Sequence, residues 1–382
     1  MSTGGEVVRR GGRGARSARI AAIVALALAG VFAAMTRLSI AGHWYGLYLL
    51  RGKEGPTFEI KDDLLLGDGS RLVAGVPLSP LRRLFTARAA GPEAPRLELQ
   101  WDEREGSGII RNHLADGTEL VTLFSRFQDS EGATPHGLFV GGALPDIAAD
   151  PGAQNESGMT HHDARGWTHI WCNVNEAIWL LPDETPIYPS YWRFLGSRVL
   201  VRDGQRVVLE SSHELERRGA RLRMDRFAYF RAGRPFFKLG IRVVNLGDLP
   251  ATYTYAYGDE PWVGEFGSAE GNLGWVAGGI VTEESQVDAR VNRWAGIVDS
   301  KTGAADFIAW VGDDQPDLVF FANQPGLQRP GVPLASNEVF IGLEWHGRAL
   351  APGEERAMLL SIGMADRDPR TGRPALPEGG GP

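Results

Sequence analysis

Cysteine is almost absent from this chain, which has only Cys172 among its 382 residues. A single thiol excludes an internal disulfide framework and any metal site built from several cysteines. The chain also lacks the phosphate-binding pattern G-x-x-x-x-G-K-[ST], the nucleophile elbow G-x-S-x-G and the zinc pattern H-E-x-x-H. These absences remove the usual signatures of nucleotide, serine-hydrolase and zinc-protease chemistry, and the sequence predicts neither a cofactor nor a metal.

A basic domain is also missing, since 40 lysines and arginines stand against 47 acidic residues and the net charge is −7. A nucleic-acid partner is therefore not expected. The charge is unevenly distributed along the chain. Residues 1–50 contain six arginines and one glutamate, a net charge of +5, so the remaining residues carry −12.

An uncharged run of sixteen residues, Ile20–Met35, follows the N-terminal arginines. Its length falls between a signal-peptide core of about 7–15 residues and a membrane span of about 20. We interpret residues 1–19 as a basic cytoplasmic segment, 20–37 as a signal anchor or a cleaved signal peptide, and 38–54 as a juxtamembrane linker; a buried soluble helix is the remaining alternative. The positive-inside rule then predicts a single-pass inner-membrane protein whose C-terminal domain is extracytoplasmic.

Glycine is abundant, at 50 residues, and no long helical period follows the first fifty positions. Short runs rich in β-branched and aromatic residues alternate there with Gly, Pro, Asp and Asn, which is typical of strands and turns. Residues 198–257 predict an antiparallel meander, and so many strands favour two packed sheets over one. The sequence thus predicts an all-β, two-sheet antiparallel sandwich at 55–365, preceded by one membrane helix and followed by a disordered tail at 366–382.

An aromatic strand with an acidic end is the first candidate site. In the run Tyr253–Tyr257 every second residue is a tyrosine, so the three rings share one face of a strand. Asp259 and Glu260 follow at its end, and Trp262 and Trp275 flank the glycine-rich stretch beyond. Paired carboxylates beside flat aromatic rings suit sugar chemistry, because one acid donates a proton while the other stays ionised. We therefore take Asp259 and Glu260 as catalytic candidates and Tyr257, Trp262 and Trp275 as substrate-binding candidates.

A second candidate lies in the run Val339–Trp345. Alternation places its apolar residues on a core face and Phe340, Gly342 and Glu344 on the other. A glycine next to Glu344 leaves room above that face, which we expect a ligand to occupy. Glu344 is therefore the third catalytic candidate, against the alternative of an exposed glutamate on a solvated strand.

Histidines and tryptophans supply further candidates. His161-His162-Asp163 and His169 lie within nine residues, but adjacent histidines on an extended chain point apart, which disfavours a shared metal. We take His162 and His169 as sugar-contacting candidates instead. Trp179 belongs to an aromatic band made of Trp167–Trp171, Trp179 and Pro189–Trp192, of which some members are expected to line a cleft and others to pack in the core.

Two runs resemble the galactose mutarotase-like β-supersandwich. Ile241–Pro250, followed by a strand and then by Gly258–Trp262, resembles the middle of that fold. Gly342–Trp345 and then Arg348–Glu354 are similar to its last strands. The resemblance covers residues 240–365, and it implies a supersandwich with a carbohydrate cleft.

The resemblance also bears on the acidic candidates. It implies that Glu344 is the base. Asp259 or Glu260 stands where the family has a catalytic histidine, and a clear sugar-binding arginine is lacking.

The sequence therefore predicts a membrane-anchored, extracytoplasmic protein that acts on or recognises a glycan. Glu344 and one of Asp259 or Glu260 are expected to face a common cleft bordered by Trp262 or Trp275. A hydrolase, lyase or epimerase would use the pair for catalysis. The alternatives are a non-catalytic polysaccharide-binding protein and an envelope assembly or scaffold protein.

Overall fold

The computed structural model describes ten stretches of the chain: residues 58–61, 64–67, 94–124, 137–141, 158–171, 173–182, 185–265, 270–324, 329–335 and 339–381. Within them the regular elements are β-strands, apart from one 3-10 turn at Pro189–Tyr191. These stretches hold no helix long and apolar enough to span a membrane. The predicted segments 1–19, 20–37 and 38–54 lie outside the described residues, as does Cys172.

Twenty-four strands make up the described fold. In chain order they are β1 Phe58–Lys61, β2 Leu64–Gly67, β3 Arg96–Asp102, β4 Ser107–His113, β5 Glu119–Phe124, β6 Met159–Asp163, β7 Gly166–Trp171, β8 Asn173–Leu180, β9 Arg193–Arg202, β10 Arg206–Arg217, β11 Ala220–Arg231, β12 Phe236–Asn245, β13 Ala251–Glu260, β14 Gly264–Glu265, β15 Asn272–Val276, β16 Gly279–Val281, β17 Ser285–Val287, β18 Trp294–Asp299, β19 Asp306–Val311, β20 Leu318–Ala322, β21 Phe340–Leu350, β22 Glu355–Met364, β23 Asp366–Arg367 and β24 Pro374–Ala375.

Three sheets contain most of these strands. The largest has nine, in the order β16-β15-β18-β19-β22-β12-β11-β10-β9. A five-stranded sheet has the order β17-β20-β21-β13-β8, and a six-stranded sheet the order β14-β7-β6-β5-β4-β3. The strand pairs are antiparallel. The all-β prediction is confirmed, while the prediction of two sheets falls short, because β3–β7 and β14 form a third.

The meander predicted over residues 198–257 is present as far as β12. Hydrogen bonds from the backbone N–H groups of Gln205 and Arg206 to the Asp203 carboxylate close its first turn. After β12 the chain crosses to the five-stranded sheet, so β13 does not become a fifth strand of the meander. Asn245 stabilises this crossing, because its side chain donates to the Leu249 carbonyl and accepts from the Gly247 N–H.

The main core joins all three sheets, since its buried cluster contains residues of β3–β7 as well as of the nine-stranded and five-stranded sheets. Side chains at alternate positions of β11 and β12 belong to this cluster together with the inward tyrosines of β13 and Trp345 of β21, and all of these are buried. This packing divides each strand of the five-stranded sheet into an inner face within the core and an outer face. The outer face is where the candidate site lies.

The C-terminal segment differs from its prediction as a disordered tail. Residues 366–381 contain the two-stranded pair β23 and β24, and Leu376 packs against an apolar cluster that includes Phe307. The Arg234 guanidinium also donates to the Glu378 carbonyl at 2.7 Å. Disorder was predicted because the segment is rich in Pro, Gly and charged residues. Composition gives no information about whether such a segment packs against a sheet formed by the rest of the chain.

Candidate functional site

A groove on the outer face of the five-stranded sheet is the candidate site, and strand alternation decides what lines it. The tyrosines of β13 point inwards, so Ala256 and Gly258 between them point outwards. Ala256 pairs with Glu344 of β21 and Gly258 pairs with Gly342, which places all four residues on the outer face. Glu344 therefore lies where the alternation of its strand predicts.

The groove has small residues along its floor and aromatic residues at its sides. Its volume is about 480 Å³ including the open mouth. The lining residues are Asn175, Ala177 and Trp179 of β8, Tyr188, Ala256–Gly258 of β13, Phe320 of β20, and Phe340, Gly342, Leu343 and Glu344 of β21. A mostly apolar and aromatic lining with a few convergent polar groups is typical of a small-molecule site.

Phenyl rings lie directly over the two glycines of the groove, which corrects one prediction. A Cβ added to Gly342 would lie 2.3 Å from the Phe320 ring, and one added to Gly258 would lie 2.5 Å from the Phe340 ring. The space that we expected a ligand to occupy above Gly342 is therefore filled by Phe320. Both phenylalanines are buried, so the rings form the wall of the groove and cover the glycine backbone.

Glu344 has a hydrogen-bond partner beside the groove, His346. Its Oε2 lies 2.6 Å from Nε2 of His346, two residues further along β21, within hydrogen-bond distance. The Glu344 side chain is 20% exposed and that of His346 is 48% exposed, so solvent reaches both. A carboxylate beside an imidazole is a combination that can accept or deliver a proton.

The backbone at His346 is held by a bulge and by a charged clamp. Two residues of β21, His346 and Gly347, oppose the single residue between Tyr253 and Tyr255 of β13, and Gly347 has a φ of 58°. The His346 N–H donates to the Asp317 carboxylate at 2.7 Å, and the Arg348 guanidinium donates to the same oxygen at 2.6 Å. These contacts fix the strand at His346 and at the two residues that follow it.

Asp259 and Tyr257 lie on the opposite face of the sheet from Glu344. The Asp259 side chain is fully buried and its residue pairs with Ile341, an inward core residue. Tyr257 is also buried in the core, and burial raises the pKa of its hydroxyl well above the usual value, helped by the negative charges of Glu176 and Asp259. Asp259 therefore does not face the cleft predicted for it. The Tyr257 side chain faces the core as well, although Tyr257 is one of the residues that line the groove.

Glu260 is on the same outer face as Glu344, one strand away. The two residues lie two outward rows apart, about 13 Å along the strand direction. Trp262 accompanies Glu260, because its indole Nε1–H donates to Glu260 Oε1 at 3.0 Å. Of the predicted set, the structure therefore places Glu344, Glu260 and Trp262 on one face.

Trp275 belongs to a different sheet. It lies on β15 of the nine-stranded sheet, where its ring centroid is 4.3 Å from that of Trp294 and its indole N–H donates to the Asp306 carbonyl. The ring is buried in a cluster with Phe236 and Phe307. The expectation that Trp275 borders the same cleft as Glu344 is therefore corrected. The Trp275 ring packs in a separate apolar cluster of the nine-stranded sheet.

The two histidine candidates lie on the six-stranded sheet, away from the groove. His162 is exposed, and its ring stacks on Trp167 with centroids 4.4 Å apart. His169 of β7 is only 3% exposed, and burial lowers the pKa of its imidazole to about 4. The structure brings neither histidine to Glu344, so neither contacts a ligand of this groove.

Comparison with known proteins identifies similar folds. No protein-family model matches the chain, and no curated protein sequence does either. The solved structures that match include a galactose mutarotase-like protein from Clostridium acetobutylicum, with a TM-score of 0.40 and 9% identity over 72% of this chain and 99% of that chain. The resemblance to this family, predicted from residues 240–365, is confirmed, and it extends to about 70% of the chain.

Two further matches carry names from carbohydrate chemistry. A putative aldose 1-epimerase from Escherichia coli K12 matches with a TM-score of 0.34 and 10% identity, over 70% of this chain and 99% of that one. A GH36 α-galactosidase from Geobacillus stearothermophilus matches with a TM-score of 0.35 and 9% identity, over 70% of this chain but 41% of that one. At such TM-scores and identities, an assignment of activity has to come from this chain's own residues.

A charged cluster beneath the groove escaped the sequence analysis. On the inner face, the Arg226 guanidinium and the Tyr255 hydroxyl both donate to the Glu176 carboxylate. Phe139 and Trp192 cover the guanidinium at 4.4 and 5.1 Å from its central carbon. The sequence did contain a signal for this cluster, because Glu176 of β8 and Arg226 of β11 are charged residues at inward positions of apolar strands. The carboxylate and the guanidinium form a buried ion pair on the inner face of the sheet, under the groove.

Several residues of the groove were also missed. Asn175 and Tyr188 of the groove, and His346 beside Glu344, were not singled out from the sequence, since isolated polar and aromatic residues give no periodic signal. Trp179 was named only as one member of an aromatic band. Among the residues that the structure describes, no group of three or more His, Cys, Asp or Glu side chains is arranged to hold a metal ion.

Proposed function

We propose that the protein binds a carbohydrate in the groove on the outer face of the five-stranded sheet. The observation that carries the proposal is the convergence of Glu344, Asn175, Trp179 and Tyr188 on one groove. A carboxylate and an amide together accept and donate hydrogen bonds to neighbouring sugar hydroxyls. Flat aromatic rings beside them suit the apolar C–H face of a pyranose.

Removing an aromatic wall tests this proposal. Purified full-length protein is screened on a glycan array, and the strongest ligand is then titrated calorimetrically. Trp179→Ala should weaken that ligand by about 10-fold, because an aromatic contact contributes on the order of 1.4 kcal/mol.

Trp294→Ala is the matched control, since Trp294 lies in the Trp275 cluster of the nine-stranded sheet. It should leave the affinity unchanged. Equal weakening by the two variants would contradict binding in the groove.

The Glu344–His346 hydrogen bond favours a second candidate function, proton transfer to and from the bound sugar. In anomer interconversion a base removes the proton of the anomeric hydroxyl and an acid protonates the ring oxygen, so that the ring C–O bond breaks to give the open aldehyde. Reclosure on the other face returns both protons and yields the other anomer. Glu344 would serve as the base and His346 as the acid, with no other reactant consumed.

We further propose that residues 20–37 anchor the protein in the inner membrane and that the β domain is extracytoplasmic. The support is the charge pattern, six arginines against one glutamate in residues 1–50, with the run Ile20–Met35 between arginines. A reporter enzyme that is active only outside the cytoplasm, fused after Pro382, should therefore be active. The same fusion with Ile20–Met35 deleted is the control and should be inactive. Activity of both fusions, or of neither, would contradict the proposed topology.

A further inference from the structure

Trp262 has a backbone conformation that tryptophan rarely adopts. Its φ is 50°, in the left-handed region, where a Cβ crowds the following carbonyl. Arg218 is the other described non-glycine residue with a positive φ, and it lies in the turn between β10 and β11. Strained residues of this kind persist where their surroundings fix them, and they concentrate at ligand sites.

The neighbours of Trp262 fix this strained conformation. Pro261 before it and Val263 after it are buried. The buried side chain of Asn272 accepts from the Val263 N–H at 2.9 Å and donates to the Val263 carbonyl at 2.6 Å. The backbone is thus held from the adjacent β15 side, and a glycine would satisfy the same contacts without strain.

The indole itself is directed to the outer face of the five-stranded sheet. Glu260 is an outward residue of β13, and the 3.0 Å hydrogen bond from Trp262 Nε1 to its carboxylate holds the ring on that side. Both side chains are partly exposed. The pair sets a ring beside a carboxylate, and the groove lining likewise contains a ring, Trp179, and a carboxylate, Glu344.

Along β13 the two combinations form one line. Trp179 pairs with Thr254, and from Thr254 to Glu260 the strand runs six residues, about 20 Å. Ala256 and Gly258 lie between, with the Phe340 ring over Gly258. This distance exceeds a single pyranose ring, while an extended oligosaccharide lying along the strand spans it.

We propose that Trp262 and Glu260 form a second sugar subsite and that the ligand is an oligosaccharide rather than a monosaccharide. This inference rests on the proposed carbohydrate binding in the groove. Trp262 stacks on one unit and Glu260 accepts hydrogen bonds from its hydroxyls, while a distant unit occupies the groove at Trp179 and Glu344. The strain at Trp262 is retained because it directs the ring to the ligand.

The test measures affinity against chain length. Calorimetric titration of the full-length protein uses cello-, malto- and manno-oligosaccharides from the monosaccharide to the hexasaccharide. One series should gain affinity at the length at which the chain reaches Trp262, and longer members should show no further gain. Trp262→Gly should remove that gain, weakening the long oligomers by about 10-fold and leaving the monosaccharide unchanged.

Thermal unfolding separates this role from a structural one. Trp262→Gly relieves the left-handed strain, so its Tm should equal or exceed that of the unsubstituted protein. Arg218→Gly relieves the same strain in the β10–β11 turn and is the matched control, with every affinity unchanged. A lower Tm for Trp262→Gly with unchanged oligosaccharide binding would show a structural residue and overturn the subsite.

The remaining outcomes distinguish failure of the second subsite from failure of the proposed carbohydrate binding in the groove. Monosaccharide binding that Trp179→Ala weakens, with no dependence on chain length, would leave the groove in place and overturn the subsite alone. Failure of every oligosaccharide and monosaccharide to bind would overturn both. Equal weakening of short and long ligands by Trp262→Gly would also overturn the subsite, because a separate subsite acts only on ligands that reach it.

Discussion

Glu344→Gln is expected to lower the rate of anomer interconversion by about 10²-fold or more, if the groove performs proton transfer. The amide keeps the size and one acceptor of the side chain but accepts no proton at neutral pH. The hydrogen bond to His346 also changes, because the carboxylate oxygen 2.6 Å from Nε2 is replaced by an amide group. The measurement is the approach of a freshly dissolved sugar to anomeric equilibrium, followed by polarimetry or NMR.

Glu98→Gln is the matched control for this substitution. Glu98 lies on β3 of the six-stranded sheet with a side chain 52% exposed, and it also bonds a histidine, His113. Its replacement should leave the rate unchanged. Because Glu344 is partly exposed at the groove, its replacement should alter Tm little. A rate that Glu344→Gln leaves intact, with sugar binding weakened, would leave only the binding function.

The alternation of side chains along β21 was predictable from the sequence. Val339–Trp345 places its apolar residues in the core and Glu344 outwards, and the structure confirms both faces. This prediction needs only the two-residue period of a strand and one unambiguous apolar face. No knowledge of neighbouring strands enters it.

The choice between Asp259 and Glu260 was not predictable, although the same period applies. Adjacent residues of a strand point to opposite faces, so one of the two had to face the core. The sequence predicts that the strand stops near Gly258 and raises both acids to the rim. β13 instead continues to Glu260, which places Asp259 in the core and Glu260 outside.

The walls of the groove and the separation of Trp275 depend on which strands become neighbours. Phe320 covers Gly342 because β20 pairs with β21, and residues 323–339 separate the two strands in the chain. Trp275 lies thirteen residues beyond Trp262 in the chain, yet it belongs to the nine-stranded sheet. Local periodicity carries no information about such pairings, since both sheets accept strands of the same pattern.

The other large effect concerns stability at acid pH, and its origin is the buried imidazole of His169. Burial lowers the pKa of this group to about 4, whereas a histidine in an unfolded chain has a pKa of about 6.5. Between these values the unfolded chain binds more protons than the folded protein. The free energy of unfolding therefore falls as the pH is lowered through this window, by about 3 kcal/mol in total for this residue.

Replacing the imidazole by a group that does not titrate should remove this part of the acid sensitivity. His169→Gln is compared with the unsubstituted protein by urea unfolding at several pH values between about 7 and 4. The variant should lose about 3 kcal/mol less across the window, whatever its stability at neutral pH. Thr168→Ala, at the adjacent position of β7, should keep the full pH dependence. If the free energy of unfolding of His169→Gln falls by the same amount as that of the unsubstituted protein, then His169 takes up its proton as readily in the folded protein as in the unfolded chain. Burial would then not lower the pKa of this imidazole.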